Sequence, residues 1–88
     1  MEDLKKLEQT ILGLNTDTDI ICSIILASHI KSCRKFEYQR ILYLENGFFV
    51  IGNMLNTNII VNPDLDSEDM NIYDEYNNVL ASIDNIEL

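Results

Sequence analysis

Beyond Arg40 the chain contains no lysine or arginine. All six basic residues (Lys5, Lys6, Lys31, Arg34, Lys35 and Arg40) precede Ile41, where six acids balance them: Glu2, Asp3, Glu8, Asp17, Asp19 and Glu37. The stretch from Ile41 to Leu88 holds nine carboxylates and so carries the whole net charge of −9. Such a single-sign field repels nucleic acid and anionic membrane surfaces and attracts cationic partners.

Other scarcities narrow the reading further. Two cysteines, Cys22 and Cys33, are too few for a disulfide scaffold. With a single histidine, His29, they also fall short of the four ligands of a structural zinc site. On a helix Cys22, His29 and Cys33 would share one stripe. A thiol–imidazole pair there would still lack a third group to orient the base. The three glycines, Gly13, Gly47 and Gly52, are scattered, which excludes a glycine-rich phosphate loop. The longest apolar run, Ile20 to Ala27, is broken by Ser23 and is too short to cross a bilayer. Met1-Glu2-Asp3 does not begin a secretory signal, which starts basic and turns apolar. The expected location is cytoplasmic, with both thiols reduced. No cofactor or metal is expected, and no arrangement of catalytic residues is recognisable, so the reading is non-catalytic.

What is present suits one folded domain spanning residues 1–88: hydrophobic content of 47% is ordinary for a globular chain. Leu4, Leu7, Ile11 and Leu14 are spaced three and four apart, which predicts a short amphipathic helix packed on its own domain. Thr16-Asp17-Thr18-Asp19 is a cap-rich cluster before a second helix running to about Cys33. That segment is apolar all round and expected to be buried, with a buried strand as the alternative.

Ile41–Ile51 is the clearest local pattern. Asn46-Gly47 between apolar runs predicts a two-residue type I′ hairpin. This register opposes Leu44 to Phe49, Tyr43 to Val50 and Leu42 to Ile51, and gathers Ile41, Tyr43, Phe48 and Val50 on one apolar face. Ile59-Ile60-Val61 reads as a third strand, ended by Asn62-Pro63. Leu65, Ile72, Tyr76, Val79, Leu80 and Ile83 fall in one helical arc, which predicts an acidic C-terminal helix with Tyr76 inward and Tyr73 at its margin. The alternative is a further hairpin turning at Asn77-Asn78. The expected fold is therefore α+β: two N-terminal helices, a three-stranded antiparallel sheet and the acidic helix.

Asp64, Asp66, Glu68 and Glu75 also match positions of a calcium loop, but Asp69 stands where that loop needs glycine. The more economical role for Asp64, Asp66, Glu68, Asp69, Tyr73, Asp74 and Glu75 is contact with a basic protein. The basic cluster Lys31, Arg34, Lys35 and Arg40 reads as internal partners for the acidic half. In size and acidity the chain resembles the small inhibitors that phages and mobile elements encode against host nucleases, glycosylases or CRISPR effectors. That resemblance rests on charge rather than on a sequence motif, and implies a nucleic-acid mimic, of DNA above all, that blocks a basic nucleic-acid-binding protein. An immunity or antitoxin protein blocking a basic toxin would use the same field. A third class is an assembly subunit, even a homodimer, joined through the apolar hairpin.

Overall fold

Leu7 and Ile11, one turn apart, anchor the first helix in the core of the computed structural model, which describes residues 2–14, 19–54 and 56–83. This helix, α1 (Glu2–Gly13), is the amphipathic element its spacing predicts, and Leu14 packs partly buried against the same core. Of the Thr16–Asp19 cluster only Asp19 is described; its carboxylate accepts from Asn58 Nδ2 at 2.9 Å.

The apolar run that follows is not one helix. Ile20–Cys22 forms strand β1, and Ile24–Ile30 forms helix α2. Ser23 divides them. Its backbone is extended (φ −69°, ψ 163°) and its Oγ accepts from the Leu26 N–H at 3.1 Å, which caps the helix. Paired isoleucines before the cap favour a strand, and parallel pairing with a later strand leaves Ile20 and Cys22 fully buried.

Five more strands complete a mixed sheet with β1: β2 (Phe36–Tyr43), β3 (Phe49–Met54), β4 (Thr57–Val61), β5 (Asn71–Tyr73) and β6 (Val79–Ser82), in the order β2-β3-β4-β1-β5-β6. Among the described residues six strands thus replace the expected three. β1 runs parallel to β4; every other pairing is antiparallel. The helices lie on one side, where α1 meets α2 and α2 meets β4. Leu7, Leu26, Ile30, Met54, Ile59 and Ile72 form the fully buried centre of that layer.

The Asn46-Gly47 hairpin exists but with a different turn. Tyr43 pairs with Phe49 and Leu42 with Val50, which leaves a three-residue loop. The Gly47 N–H donates to the Leu44 carbonyl at 3.1 Å, the Leu44 N–H to the Phe48 carbonyl at 2.8 Å, and Gly47 has φ +91°. This is a type I turn closed by a left-handed residue, not a type I′ turn. A register moved by one residue exchanges the faces. Tyr43 therefore lies beside Phe49 on the helix side, with ring centroids 5.8 Å apart, and Val50 lies beside Leu42 on the other side. Ile41, Tyr43, Phe48 and Val50 do not form one surface.

No acidic C-terminal helix forms. Residues 71–82 make a second hairpin of the same design, as the alternative allowed, with its loop at Glu75-Tyr76-Asn77. Asn77 (φ 67°) takes the place that Gly47 has in the first. The cause lies in Asp74, whose carboxylate accepts from the backbone N–H groups of Tyr76 and Asn78, both at 2.8 Å. Aspartate that caps its own downstream backbone competes with helix. Tyr76, expected inward, is 76% exposed at the loop tip, while Ile72 and Ile83 enter the core.

Candidate interaction face

The sheet has a second face that no described helix covers. Direct neighbours across a sheet point to the same side. Leu42 opposes Val50, Val50 opposes Ile60, Ile60 opposes Ile21, Ile21 opposes Tyr73, and Tyr73 opposes Val79. One apolar row therefore crosses all six strands. Val50 and Ile60 are buried yet stand outside the helix-side core. The two ends of the row, Leu42 and Val79, are each 56% exposed.

On this face lies a cavity of about 240 Å³. Ile21, Phe48, Leu65 and Tyr73 give it apolar walls. Its polar lining comes from Asn46 in the first hairpin, Asn62 after β4, and Asp74, Glu75 and Asn77 in the second hairpin. Tyr73 is held on both sides of its hydroxyl: the O–H donates to Asp69 Oδ2 at 2.7 Å and the oxygen accepts from Asn71 Nδ2 at 3.3 Å.

The acidic segment between β4 and β5 is built from side-chain turns. Asn62 Oδ1 accepts from the Asp64 N–H, Asp66 Oδ1 from the Glu68 N–H, and Asp69 Oδ1 from the Asn71 N–H, at 3.0, 3.0 and 2.9 Å. Each spans two residues, the Asx-turn geometry. The Ser23 hydroxyl donates to the Asp69 carbonyl at 2.9 Å and so fastens this loop to the start of α2. Hydrogen bonds from the Asn78 backbone first, and from the Asn78 side chain and Tyr76 as well, hold the Asp74 carboxyl below its usual range.

The carboxylates singled out in the sequence thus divide. Asp66, Asp69 and Asp74 make turns, Asp66 while exposed, whereas the exposed carboxylates of Asp64, Glu68 and Glu75 make none. Tyr73 is half-buried rather than a free contact. Tyr43 and Ile41 are exposed on the edge strand, Phe48 is half-buried at the cavity, and Val50 is buried.

The basic cluster does not answer the acidic loop. The loop leaves β4 where Cys22 and Ser23 end β1: the Asn62 N–H donates to the Cys22 carbonyl at 3.0 Å. From there α2 carries the chain about 10 Å away before Lys31, Arg34 and Lys35 follow. Among the described residues no ion pair joins the two groups.

The two thiols are structural. Burial first, and the Asp69 charge second, push Cys22 up to about 12; burial first, and Glu8 second, push Cys33 up to about 11. Among the described residues no group of three or more His, Cys, Asp or Glu is placed to hold a metal ion, and no helix is long and apolar enough to cross a membrane.

Sequence reasoning missed Ile21, Asn46, Asn62, Leu65 and Asn77 as cavity residues. The available signal was Ser23, which splits the apolar run and makes Ile21 the outward member of a three-residue strand. Comparison with protein-family models, with curated proteins and with solved structures gave no match to this chain.

Proposed function

We propose that the protein is a non-catalytic binding module for a basic, nucleic-acid-binding protein, and that it inhibits this partner by covering the surface that meets phosphates. One observation carries the proposal: an apolar row on a helix-free face lies beside exposed carboxylates, and strands β3 to β6 contribute no lysine or arginine. Apolar area with a single-sign rim suits a partner that is itself basic and partly apolar. The exposed acids stand on loops rather than along a helix. The mimicry proposed is therefore of phosphate charge, not of the regular spacing of a duplex.

The test is capture from cell lysate at low and high salt, with identification of what is released. A basic nucleic-acid-binding protein eluted by salt is the expected result. Replacing Asp64, Glu68 and Glu75 together by lysine should abolish its capture, because these carboxylates make no turn. Undiminished capture by the triple variant would refute the reading.

A second reading has its own observation. Four exposed large hydrophobics, Tyr38, Ile41, Leu42 and Tyr43, lie on β2, an edge strand. An exposed apolar edge invites pairing with another chain. Self-association would show as a concentration-dependent mass in sedimentation, weakened by Leu42→Lys; a monomer at all concentrations rules it out.

A further inference from the structure

We infer that the cavity on the helix-free face receives an arginine side chain of the protein partner. This rests on the reading above and names the contact that would give it specificity. At about 240 Å³ the cavity lies below the usual size of a cofactor or drug-like site and suits a single side chain.

Its chemistry selects among side chains. Phe48 and Tyr73 place two aromatic rings at the walls, and the Tyr73 ring is fixed through its hydroxyl by Asp69 and Asn71. At the polar side stand acceptors. Asn46 Oδ1 and Asn62 Oδ1 each accept one backbone N–H and keep a second lone pair. Asp74 and Glu75 add two carboxylates, and among the described residues no cation lines the cavity. A guanidinium carries five donors and no acceptor, stacks on aromatic faces and is weakly hydrated. It therefore meets the oxygens with its edge and the rings with its plane. Lysine offers a compact, strongly hydrated charge that gains less from the rings. A phosphate or carboxylate would be repelled by Asp74 and Glu75, with only the neutral amide N–H groups of Asn46, Asn62 and Asn77 to offset that repulsion. A neutral apolar side chain would leave the rim unanswered.

The experiment is an NMR titration of the isotope-labelled protein with N-acetyl-arginine amide, with N-acetyl-citrulline amide and N-acetyl-lysine amide as matched probes. Arginine should produce saturable shifts at Ile21, Phe48, Leu65 and Tyr73 in the millimolar range. Citrulline, which has the same shape without the charge, should produce none, and lysine should bind several-fold more weakly. Glu75→Gln, at an exposed position outside the turn hydrogen bonds, should weaken arginine several-fold while leaving the spectrum folded. Absence of shifts, non-saturating shifts spread over Asp64, Asp66 and Glu68, or equal binding of lysine or citrulline would each overturn the assignment. If arginine fails while salt-sensitive capture persists, the cavity is not the contact and the acidic module stands. If arginine binds but capture is lost, the cavity stands and the module reading falls.

Discussion

Ser23→Ala tests how the acidic loop is tied to the rest of the fold. Ser23 is fully buried, and its hydroxyl works in both directions: it accepts from the Leu26 N–H at 3.1 Å and donates to the Asp69 carbonyl at 2.9 Å. Alanine removes a helix cap, at about 1 kcal/mol. It also strips a carbonyl of its donor, at about 1–3 kcal/mol, with the lower part of that range appropriate because Asp69 is only half-buried. The sum is about 2–3 kcal/mol, out of about 4–13 kcal/mol for a chain of 88 residues. Urea unfolding followed by circular dichroism should show an earlier midpoint at unchanged slope, and the thermal midpoint should fall by roughly 10–20 °C. Ser23→Gly keeps a tolerable cap but loses the same bond to Asp69, so it should cost about 1–2 kcal/mol, less than alanine by the cap alone. Wild-type stability in Ser23→Ala, within about 0.5 kcal/mol, would refute the bridging role of this hydroxyl.

Three further outcomes follow from the geometry. Gly52→Ala should destabilise by about 1–3 kcal/mol in urea titration, because a Cβ there would strike the Glu37 carbonyl oxygen and come within 2.5 Å of Phe36 Cζ, whereas Gly13→Ala, with nothing within 4 Å, should be tolerated. Asp74 has a folded pKa below its ordinary 3.8, so its contribution is present above that pH and is lost as the pH falls through the lower folded value; the gap in thermal midpoint between wild type and Asp74→Ala should be constant near neutrality and close in strong acid. At mildly alkaline pH, raising Cys33 from 9.0 to about 11 leaves roughly a hundredfold less thiolate. Iodoacetamide should therefore label the native protein slowly, Cys22 slowest of all, and label both thiols quickly in urea.

The elements legible in the sequence were those whose signal is local. Leu7 and Ile11 mark α1 by their spacing, and Ile59-Ile60-Val61 marks β4 by its β-branched run. Other elements depended on partners distant in the chain. β1 is three residues long and becomes a strand only because β4 and β5 flank it, through Ile21↔Ile60 and Ile21↔Tyr73. No window of local sequence contains that pairing. The helical arc from Leu65 to Ile83 misled because the apolar residues of two short strands and a loop can fall at helical spacing by accident. The side chains that break the helix, Asp74 and Asn77, act through hydrogen bonding and a left-handed backbone rather than through hydrophobicity. In the first hairpin the Asn-Gly pair pointed to a turn but not to its type. One residue of register decided which face Val50 and Tyr43 occupy, so the apolar row of the candidate site was not readable from the hairpin alone.

The turns also bear on why an acidic chain of this size tolerates its charge. Asp66, Asp69 and Asp74 each accept backbone N–H groups within a few residues, and at Asp74 these bonds hold the carboxyl below its ordinary range. Part of the self-repulsion is thereby offset by local structure that a neutral side chain would form less well. That argument does not reach Asp64, Glu68 and Glu75, which are exposed and make none of these turns. Reversing Asp66, Asp69 and Asp74 would therefore examine the fold of the loops, and lost binding in such a variant would carry no information about a partner. Reversing Asp64, Glu68 and Glu75 relieves repulsion and leaves the turns in place, so stability should hold or rise. Capture lost from a protein of undiminished stability is the combination that separates a recognition charge from a structural one.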